Sequence, residues 1–286
     1  MPTALLFPGQ GSQTDDMREL AAEHEPELLA LAQAEAGDDV FERSGEGTEY
    51  AQPSILCASI ASWVGAGRPS ADYFAGHSLG ELSALVAAGS IPPDGAVRLA
   101  AERGRLMAAA AGDAPGGMMA LLGDAAEARA AADRGGVLVA NDNGPTQLVV
   151  AGPDAALEQV AQDAKARGVR AMRLAVRGAF HSPAIASAVD PFRVALEETE
   201  VRSPQAPVFS SSTATPFPSD PDDIRDRLAL ALVRPVRWRE TLESLHGMGV
   251  RRFVEAGPGK ALTGMVRRAF DDVEATTLKA QEAVSA

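Results

Sequence analysis

The segment Gly76-His77-Ser78-Leu79-Gly80 constrains the fold of this chain more than any other part of its sequence. It has the form Gly-x-Ser-x-Gly, and it lies between a predicted strand at Asp72–Ala75 and the apolar stretch Leu82–Ala88, predicted as a helix. Glycines on both sides permit a sharp turn that projects the serine hydroxyl beyond the end of the strand. This is the nucleophile elbow of α/β-hydrolase-like folds, so Ser78 is a candidate nucleophile for acyl chemistry. The alternative is a purely structural turn from strand to helix.

Composition and charge exclude several classes of protein. The chain has 286 residues and a formal net charge of −13, which makes general binding to nucleic acid or to an anionic membrane unfavourable. Its one cysteine, Cys57, excludes an internal disulfide and a multi-cysteine metal site, and its apolar neighbours predict a core position. No apolar run is long enough to span a membrane, and no secretory signal precedes the first strand. We therefore expect a cytoplasmic protein without a metal site.

The middle of the chain has its own pattern of strands and helices. The predicted elements are a strand at Met118–Leu122, a helix at Ala125–Asp133, a strand at Val137–Asn141, a turn at Asn143-Gly144, a strand at Gln147–Ala151, a helix at Ala155–Arg167 and a strand at Arg170–Val176. The order β-α-β-β-α-β is the ferredoxin-like motif. We therefore predict a ferredoxin-like subdomain at residues 116–176, inserted into an α/β-hydrolase-like core with a parallel sheet formed by residues 1–115 and 177–286.

A serine nucleophile needs a base, and the chain offers only four histidines. His24 lies in a charged stretch, His246 in a predicted loop, and His77 adjoins the nucleophile, from which an elbow would turn it away. His181 follows a predicted strand and is therefore the best base by elimination. No acidic residue stands out as a third member, since the nearest one downstream, Asp190, falls in a predicted helix.

Arg103 is the third informative residue. On the helix predicted at Asp94–Ala111 it falls on the apolar face, beside Leu99 and Met107. A buried guanidinium is costly unless an anion meets it, and its fork geometry suits a carboxylate. Either an internal Asp or Glu or a carboxylate of the substrate satisfies this charge, and the residues alone do not decide between them.

Longer motifs occur in a fixed order along the chain. They are Phe7-Pro8-Gly9-Gln10-Gly11-Ser12-Gln13, Gly76-His77-Ser78-Leu79-Gly80-Glu81, Arg103-Gly104-x-Leu106-Met107, Phe180-His181-Ser182-Pro183 and Glu255-x-Gly257-Pro258-Gly259-Lys260. In this order they resemble the malonyl-CoA:acyl carrier protein transacylase family, which includes the acyltransferase domains of polyketide synthases. Gln52-Pro53 and Asn141-x-Asn143 also resemble motifs of that family. The resemblance covers essentially the whole chain.

The resemblance implies a role for each matching residue. It identifies Ser78 as the nucleophile, His181 as the general base, and Arg103 as the residue that binds the free carboxylate of a malonyl group. The backbone N–H groups of Gln10 and Leu79 match the oxyanion hole.

Other positions match residues around the cleft. In this family a backbone carbonyl orients the catalytic histidine in place of an acid, and the matching residue here is Ala231. Gln52 and Asn141 match polar residues that line the cleft, and we also count His77 and Met107 as substrate-binding. Phe180 resembles the bulky residue that malonyl-selective members carry before the histidine.

The implied reaction is a ping-pong transfer of malonyl from coenzyme A to the phosphopantetheine thiol of an acyl carrier protein, through an acyl-serine. It needs no cofactor, because malonyl-CoA is itself the substrate, and the size of the core suggests a monomer. The rival enzymatic hypothesis is a serine thioesterase or hydrolase, and a second rival is a non-catalytic carrier-binding module. Basic residues are concentrated late in the chain, and they form either a docking surface for an acidic carrier or an ordinary solvent-exposed surface. They are Arg234, Arg237, Arg239, Arg251, Arg252, Lys260, Arg267 and Arg268.

Overall fold

The computed structural model describes residues 1–278, so the last eight residues of the predicted core segment 177–286 lie outside the described residues. The strands are, in chain order, β1 (Thr3–Phe7), β2 (Tyr73–Gly76), β3 (Gly117–Leu122), β4 (Leu138–Gly144), β5 (Gln147–Gly152), β6 (Arg170–Arg173), β7 (Val208–Ser210), β8 (Thr215–Pro216), β9 (Arg252–Glu255) and β10 (Glu274–Thr277).

Helices connect and cover these strands. They are α1 (Met17–His24), α2 (Pro26–Ala36), α3 (Thr48–Gly65), α4 (Gly80–Ala87), α5 (Pro93–Asp113), α6 (Ala125–Gly135), α7 (Asp154–Ala166), α8 (Val189–Glu197), α9 (Pro221–Ala231), α10 (Trp238–Gly247) and α11 (Ala261–Ala269), with a 3₁₀ turn at Pro183–Ala188. None of the helices among residues 1–278 combines the length and the apolar character that crossing a membrane requires.

The larger sheet carries the functional loops at the carboxyl ends of its parallel strands. Its strand order is β10-β9-β1-β2-β7-β8, and all neighbours are parallel except the short pair β7 and β8. Residues Ala4–Phe7 of β1 are completely buried, as expected for a parallel strand that is covered on both faces. Phe7 pairs with Gly76, and Leu6 pairs with Glu255. The loops that follow β1, β2 and β9 therefore leave the sheet side by side.

The smaller sheet contains β3 to β6 in the order β4-β5-β3-β6, with antiparallel pairing throughout. Its elements follow one another in the predicted order β-α-β-β-α-β. One face of this sheet packs against α6 and α7 in an apolar cluster of its own, which includes Leu121, Val150, Leu157 and Val160. This second cluster explains why the middle of the chain has a separate hydrophobic pattern.

Two predicted boundaries in this region are wrong. The strand predicted to end at Asn141 continues through Asn143-Gly144, and the turn falls at Pro145-Thr146 instead. Asn, Asp and Gly disfavour strands, but here Gly144 pairs with Gln147 and the neighbouring backbone bonds to the core. The strand predicted over Arg170–Val176 ends at Arg173, because the chain then turns to line a cleft between the two sheets.

The smaller sheet joins the rest of the protein along β4, in a region that we call the junction. Val236 of the core donates its N–H to the carbonyl of Ala140 at 2.8 Å and accepts the N–H of Asp142 at 2.8 Å. The buried Asp142 carboxylate also accepts hydrogen bonds from Arg239 of α10 at 2.7 Å and Arg129 of α6 at 3.2 Å. The junction therefore ties β4 to the segment that leads into α10.

Candidate active site

Ser78 lies in a sharp turn between β2 and α4. Its φ of 52° is in the left-handed region, which disfavours residues with a side chain by about 1–2 kcal/mol. A Cβ on Gly76 would overlap the backbone of Gly80, and a Cβ on Gly80 would overlap the carbonyl of Phe7. Both glycines of the motif are therefore required for the close approach of strand and helix, and the turn presents the Ser78 hydroxyl to the cleft.

His181 is hydrogen-bonded to this hydroxyl. The distance from Ser78 Oγ to His181 Nε2 is 2.8 Å. On the other side of the ring, Nδ1 lies 3.0 Å from the carbonyl oxygen of Ala231 and 3.1 Å from that of Arg234. Carbonyl oxygens only accept, so Nδ1 carries the proton and the lone pair of Nε2 faces Ser78.

Sequence reasoning named the carbonyl of Ala231 and missed that of Arg234. No side-chain pattern marks a backbone carbonyl, so the sequence offered no signal for the second one. Asp190 lies in the first turn of α8, and the hydrogen-bond partners of His181 described above do not include it.

The environment of His181 keeps its imidazole neutral. The residue is buried, and burial together with the positive charge of Arg103 lowers its pKa from 6.5 to about 3. The two carbonyl contacts act in the opposite direction, with a smaller effect on the pKa. At neutral pH the ring can therefore accept a proton from Ser78.

Arg103 lies on the buried face of α5, as the helical pattern predicts, and is 5% exposed. Its Nη1 donates to Gln52 Oε1 at 2.7 Å, and its Nη2 donates to Ser78 Oγ at 3.2 Å. Burial lowers its pKa to about 10, which still leaves it charged at neutral pH, and Glu81 partly opposes this effect. The carboxylate of Glu81 itself is hydrogen-bonded to Ser210 and Ser211. Among residues 1–278 the guanidinium thus has only neutral hydrogen-bond partners.

A chain of hydrogen bonds continues from Gln52 to the loop after β1. Gln52 Nε2 donates to Thr48 Oγ1 at 2.8 Å, and it lies 3.3 Å from Met107 Sδ. Thr48 Oγ1 in turn lies 2.9 Å from Gln10 Oε1. Sequence reasoning missed Thr48, because a threonine in the first turn of a helix carries no distinctive signal.

His77 faces away from Ser78. Its Nε2 lies 2.8 Å from Asn143 Oδ1, and its ring meets Trp238 edge to face at 5.4 Å. Burial lowers its pKa, so it is neutral at neutral pH. His77 therefore joins the elbow to β4.

His246 lies in the last turn of α10 and not in the predicted loop, and it stacks on Phe270.

The cleft between the two sheets has a volume of about 400 Å³. Besides Ser78, His181 and Arg103, every residue that the sequence assigned to substrate binding lines it: Gln10, Gln52, His77, Leu79, Met107, Asn141 and Phe180. Within the described part of the chain, the backbone N–H groups of Gln10 and Leu79 donate to no other group. These two donors are therefore free to bind an oxyanion beside Ser78.

Comparison with known proteins agrees with this geometry. The acyl transferase domain family matches residues 5–284. The malonyl CoA-acyl carrier protein transacylase of Escherichia coli (strain K12) is 37% identical, over 99% of this chain and 97% of its own length. The solved structure of the malonyl CoA-acyl carrier protein transacylase from Coxiella burnetii superposes with a TM-score of 0.89 at 30% identity, covering 97% of this chain and 94% of that one.

A further solved structure contains a malonyl-transacylase in complex with its type II polyketide-synthase acyl carrier protein. It superposes with a TM-score of 0.87 at 34% identity, covering 97% of this chain and 95% of that one. The expectation drawn from the ordered motifs is confirmed: the chain belongs to the acyl transferase family of malonyl-CoA:acyl carrier protein transacylases.

Proposed function

We propose that this protein moves a malonyl group from coenzyme A to the phosphopantetheine thiol of an acyl carrier protein, through an acyl-serine at Ser78. The observation that carries this proposal is Arg103, a buried cation with neutral hydrogen-bond partners, whose Nη2 lies 3.2 Å from Ser78 Oγ. A malonyl thioester has a carboxylate one methylene away from the carbonyl that Ser78 attacks. Arg103 can therefore bind the carboxylate while Ser78 reaches the carbonyl.

The first half-reaction forms the acyl-serine. His181 Nε2 takes the proton of Ser78 Oγ as the oxygen attacks the thioester carbonyl, and the backbone N–H groups of Gln10 and Leu79 bind the oxyanion. The carbon–sulfur bond then breaks, and the protonated His181 gives its proton to the leaving thiolate of coenzyme A. The carbonyls of Ala231 and Arg234 keep the ring aligned throughout.

The second half-reaction reverses these roles. His181 takes the proton of the carrier thiol, whose sulfur attacks the ester carbonyl of malonyl-Ser78. The carbon–oxygen bond breaks, and His181 returns the proton to Ser78 Oγ. The same oxyanion donors serve both steps, so one cleft is sufficient for both thiols.

Phe180 supports a preference for malonyl over α-substituted malonyl groups. Its buried side chain lines the cleft directly before His181, and it packs closely against the backbone at Gly178. A bulky ring at this place leaves little room for a substituent on the malonyl methylene.

The basic residues late in the chain divide into two groups. Most of them are already engaged: Arg237 with Glu240, Arg239 with Asp142, Arg251 with Asp272, Arg252 with Glu274, and Arg267 with the carbonyl of Ala275. Arg234, Lys260 and Arg268 are exposed and form no ion pair within the described chain. We propose that these three attract an acidic carrier. The carbonyl of Arg234 bonds to His181, Lys260 directly precedes α11, and Arg268 lies on α11, whose residues Ala261, Leu262 and Met265 line the cleft.

We also propose how the fold divides into two parts and in which state the protein acts. The elbow between β2 and α4 supports an α/β-hydrolase-like core at residues 1–115 and 177–286, and the sheet order β4-β5-β3-β6 supports a ferredoxin-like subdomain at residues 116–176. We further propose a cytoplasmic monomer that needs no cofactor and binds neither nucleic acid nor membrane. The nucleophile, the base and the cation all come from one chain, and its net charge is −13.

Trapping the intermediate tests the reaction. Incubation with malonyl-CoA is expected to add one malonyl group at Ser78, detected by mass spectrometry of the peptide, and S78A removes the adduct. Addition of a phosphopantetheinylated carrier is then expected to remove the malonyl group from Ser78 and transfer it to the carrier. Release of free malonate with no carrier acylation would show a hydrolase instead.

A salt series tests the carrier surface. Replacing Arg234, Lys260 and Arg268 by Glu is expected to raise the KM for the carrier and to flatten its dependence on ionic strength. The formation of malonyl-Ser78 should stay unchanged. Lys165→Glu combined with Arg170→Glu is the control, because both side chains are exposed, form no ion pair within residues 1–278, and lie on α7 and β6 of the smaller sheet's layer. If this control raised the carrier KM equally, the effect would be one of net charge alone.

A further inference from the structure

The hydrogen bonds from Arg103 to Gln10 run in one direction. Arg103 has no acceptor atoms, so the atom of Gln52 that faces it must be the amide oxygen. The amide nitrogen of Gln52 therefore faces Thr48 and donates to its hydroxyl oxygen. The proton of Thr48 then points to the remaining neighbour, so the atom of Gln10 that receives it is the amide oxygen. The orientation of both amides thus follows from the chemistry of Arg103.

This direction determines what Gln10 presents to the substrate. The amide oxygen of Gln10 accepts the hydrogen bond from Thr48, so the amide N–H₂ group is left to face the cleft. Among residues 1–278 that N–H₂ group has no hydrogen-bond partner. Gln10 lines the cleft, whereas Thr48 is 5% exposed and lies behind it. Arg103 and Gln10, the two ends of this series of hydrogen bonds, therefore both offer hydrogen-bond donors to the cleft.

We propose that Thr48 is a positioning residue for recognition of the substrate carboxylate: its hydroxyl holds Gln52 against Arg103 and orients the amide of Gln10 with its N–H₂ group toward the anion. This inference rests on the proposed function. Without the hydroxyl, the amide of Gln10 can turn over and present its oxygen, which repels a carboxylate. Gln52 also loses a hydrogen bond that keeps its oxygen on Arg103.

The packing of α5 on α3 supports this role. Residue 104, directly after Arg103, is a glycine, and a Cβ there would press on the carbonyl of Thr48. The absence of that Cβ lets the first turn of α3 approach α5 closely enough for Gln52 to reach Arg103. Thr48 thus lies at the contact that sets the position of the guanidinium.

Thr48→Val tests the proposal, because it removes the hydroxyl and keeps the shape of the side chain. Single-turnover acylation of Ser78 is measured with malonyl-CoA and with acetyl-CoA, and thermal unfolding is followed in parallel. We expect malonyl acylation to fall about tenfold, as for a buried donor and acceptor left unpaired, and acetyl acylation to change by less than about twofold. T48S, which restores the hydroxyl, should recover most of the preference for malonyl.

A double-mutant cycle separates positioning from packing. Q10L removes the terminal donor, so T48V combined with Q10L should cost less than the sum of the two single changes. Equal losses for malonyl and acetyl, or strictly additive effects, would overturn the role of Thr48 and indicate packing alone. A parent protein without any malonyl preference would contradict the proposed function itself, whereas a selective parent with an unchanged T48V variant would contradict only this inference.

Discussion

Arg103 and Asp142 are both charged and buried, one in the cleft and the other in the junction. They differ in the charge of their hydrogen-bond partners. Asp142 accepts hydrogen bonds from two arginines on two different helices. Within residues 1–278, Arg103 donates hydrogen bonds to Gln52 and Ser78, which are neutral, while the carboxylate of Glu81 accepts hydrogen bonds from serines. Both side chains are at least nine-tenths buried. The difference between them is thus in the charge of their neighbours and not in exposure to water.

This difference separates a structural charge from a binding charge. A buried ion whose counterions are built into the protein contributes to holding two elements together. An external counterion stabilises a buried ion with neutral partners more than a buried ion that already has counterions in the protein. The region around Arg103 is therefore prepared for an anion, whereas Asp142 already has two cationic partners within the protein.

The largest effect is expected from Arg103→Ala. Malonyl acylation of Ser78 should fall by about 100-fold, corresponding to about 3 kcal/mol for the loss of a buried, hydrogen-bonded charge pair. Acetyl acylation should change far less, because acetyl has no carboxylate. The measurement is kcat/KM with each donor. R103K is the control, since it keeps the charge without the fork and should lie between parent and R103A. An R103A enzyme that still prefers malonyl as strongly would contradict the assignment.

Asp142→Asn should instead affect stability. Two arginines then lose their carboxylate, and we expect a loss of about 2 kcal/mol in the free energy of unfolding and a Tm lower by about 5 °C. Thermal and denaturant unfolding measure this loss. The ratio of malonyl to acetyl acylation should stay at the parent value. A changed ratio with an unchanged Tm would show that the two charges do not have separate roles.

The rate of acylation should depend on pH through the protonation of His181. The imidazole of His181 must be neutral to accept a proton, so acylation falls as pH decreases through its pKa of about 3. Burial is the main cause of this low pKa, and the charge of Arg103 is the second. Arg103→Gln removes the second cause, so the pKa of His181 should rise and the acid limb of the pH profile should move to higher pH. Burial still keeps this pKa below 6.5. The pH profile of acetyl acylation measures this shift, and D142N should leave the limb in place.

The smallest effects are expected within the junction itself. Arg239 lies nearer to Asp142 than Arg129 does, and it is less exposed. R239Q should therefore lower the free energy of unfolding by about 1 kcal/mol, and R129Q by about 0.5 kcal/mol, as for partly exposed ion pairs. Parallel denaturant titrations measure both values. The reverse order would show that α6, and not α10, holds β4 in place.

Much of the cleft was predictable because its residues carry local signals. The elbow glycines mark a sharp turn, and Arg103 stands out on an apolar helix face. Thr48 and Asp142 gave no such signal, because threonine and aspartate are common on surfaces and their partners are far away in sequence. The extension of β4 was missed for a related reason: Asn143-Gly144 is typical of a turn, and the strand persists through hydrogen bonds to the distant Val236.

The backbone of the two catalytic positions has a consequence for how this protein can change. Ser78 and His181 both have a positive φ, at 52° and 57°, where glycine is the residue least strained. S78G removes the nucleophile and relieves backbone strain, by about 0.5–1 kcal/mol. H181G relieves similar strain but also empties a buried site and leaves the carbonyls of Ala231 and Arg234 without their donor, which costs more than it gains. A laboratory evolution experiment that selected for heat resistance alone would therefore favour a dead enzyme at Ser78, and only a requirement for turnover can retain the serine there.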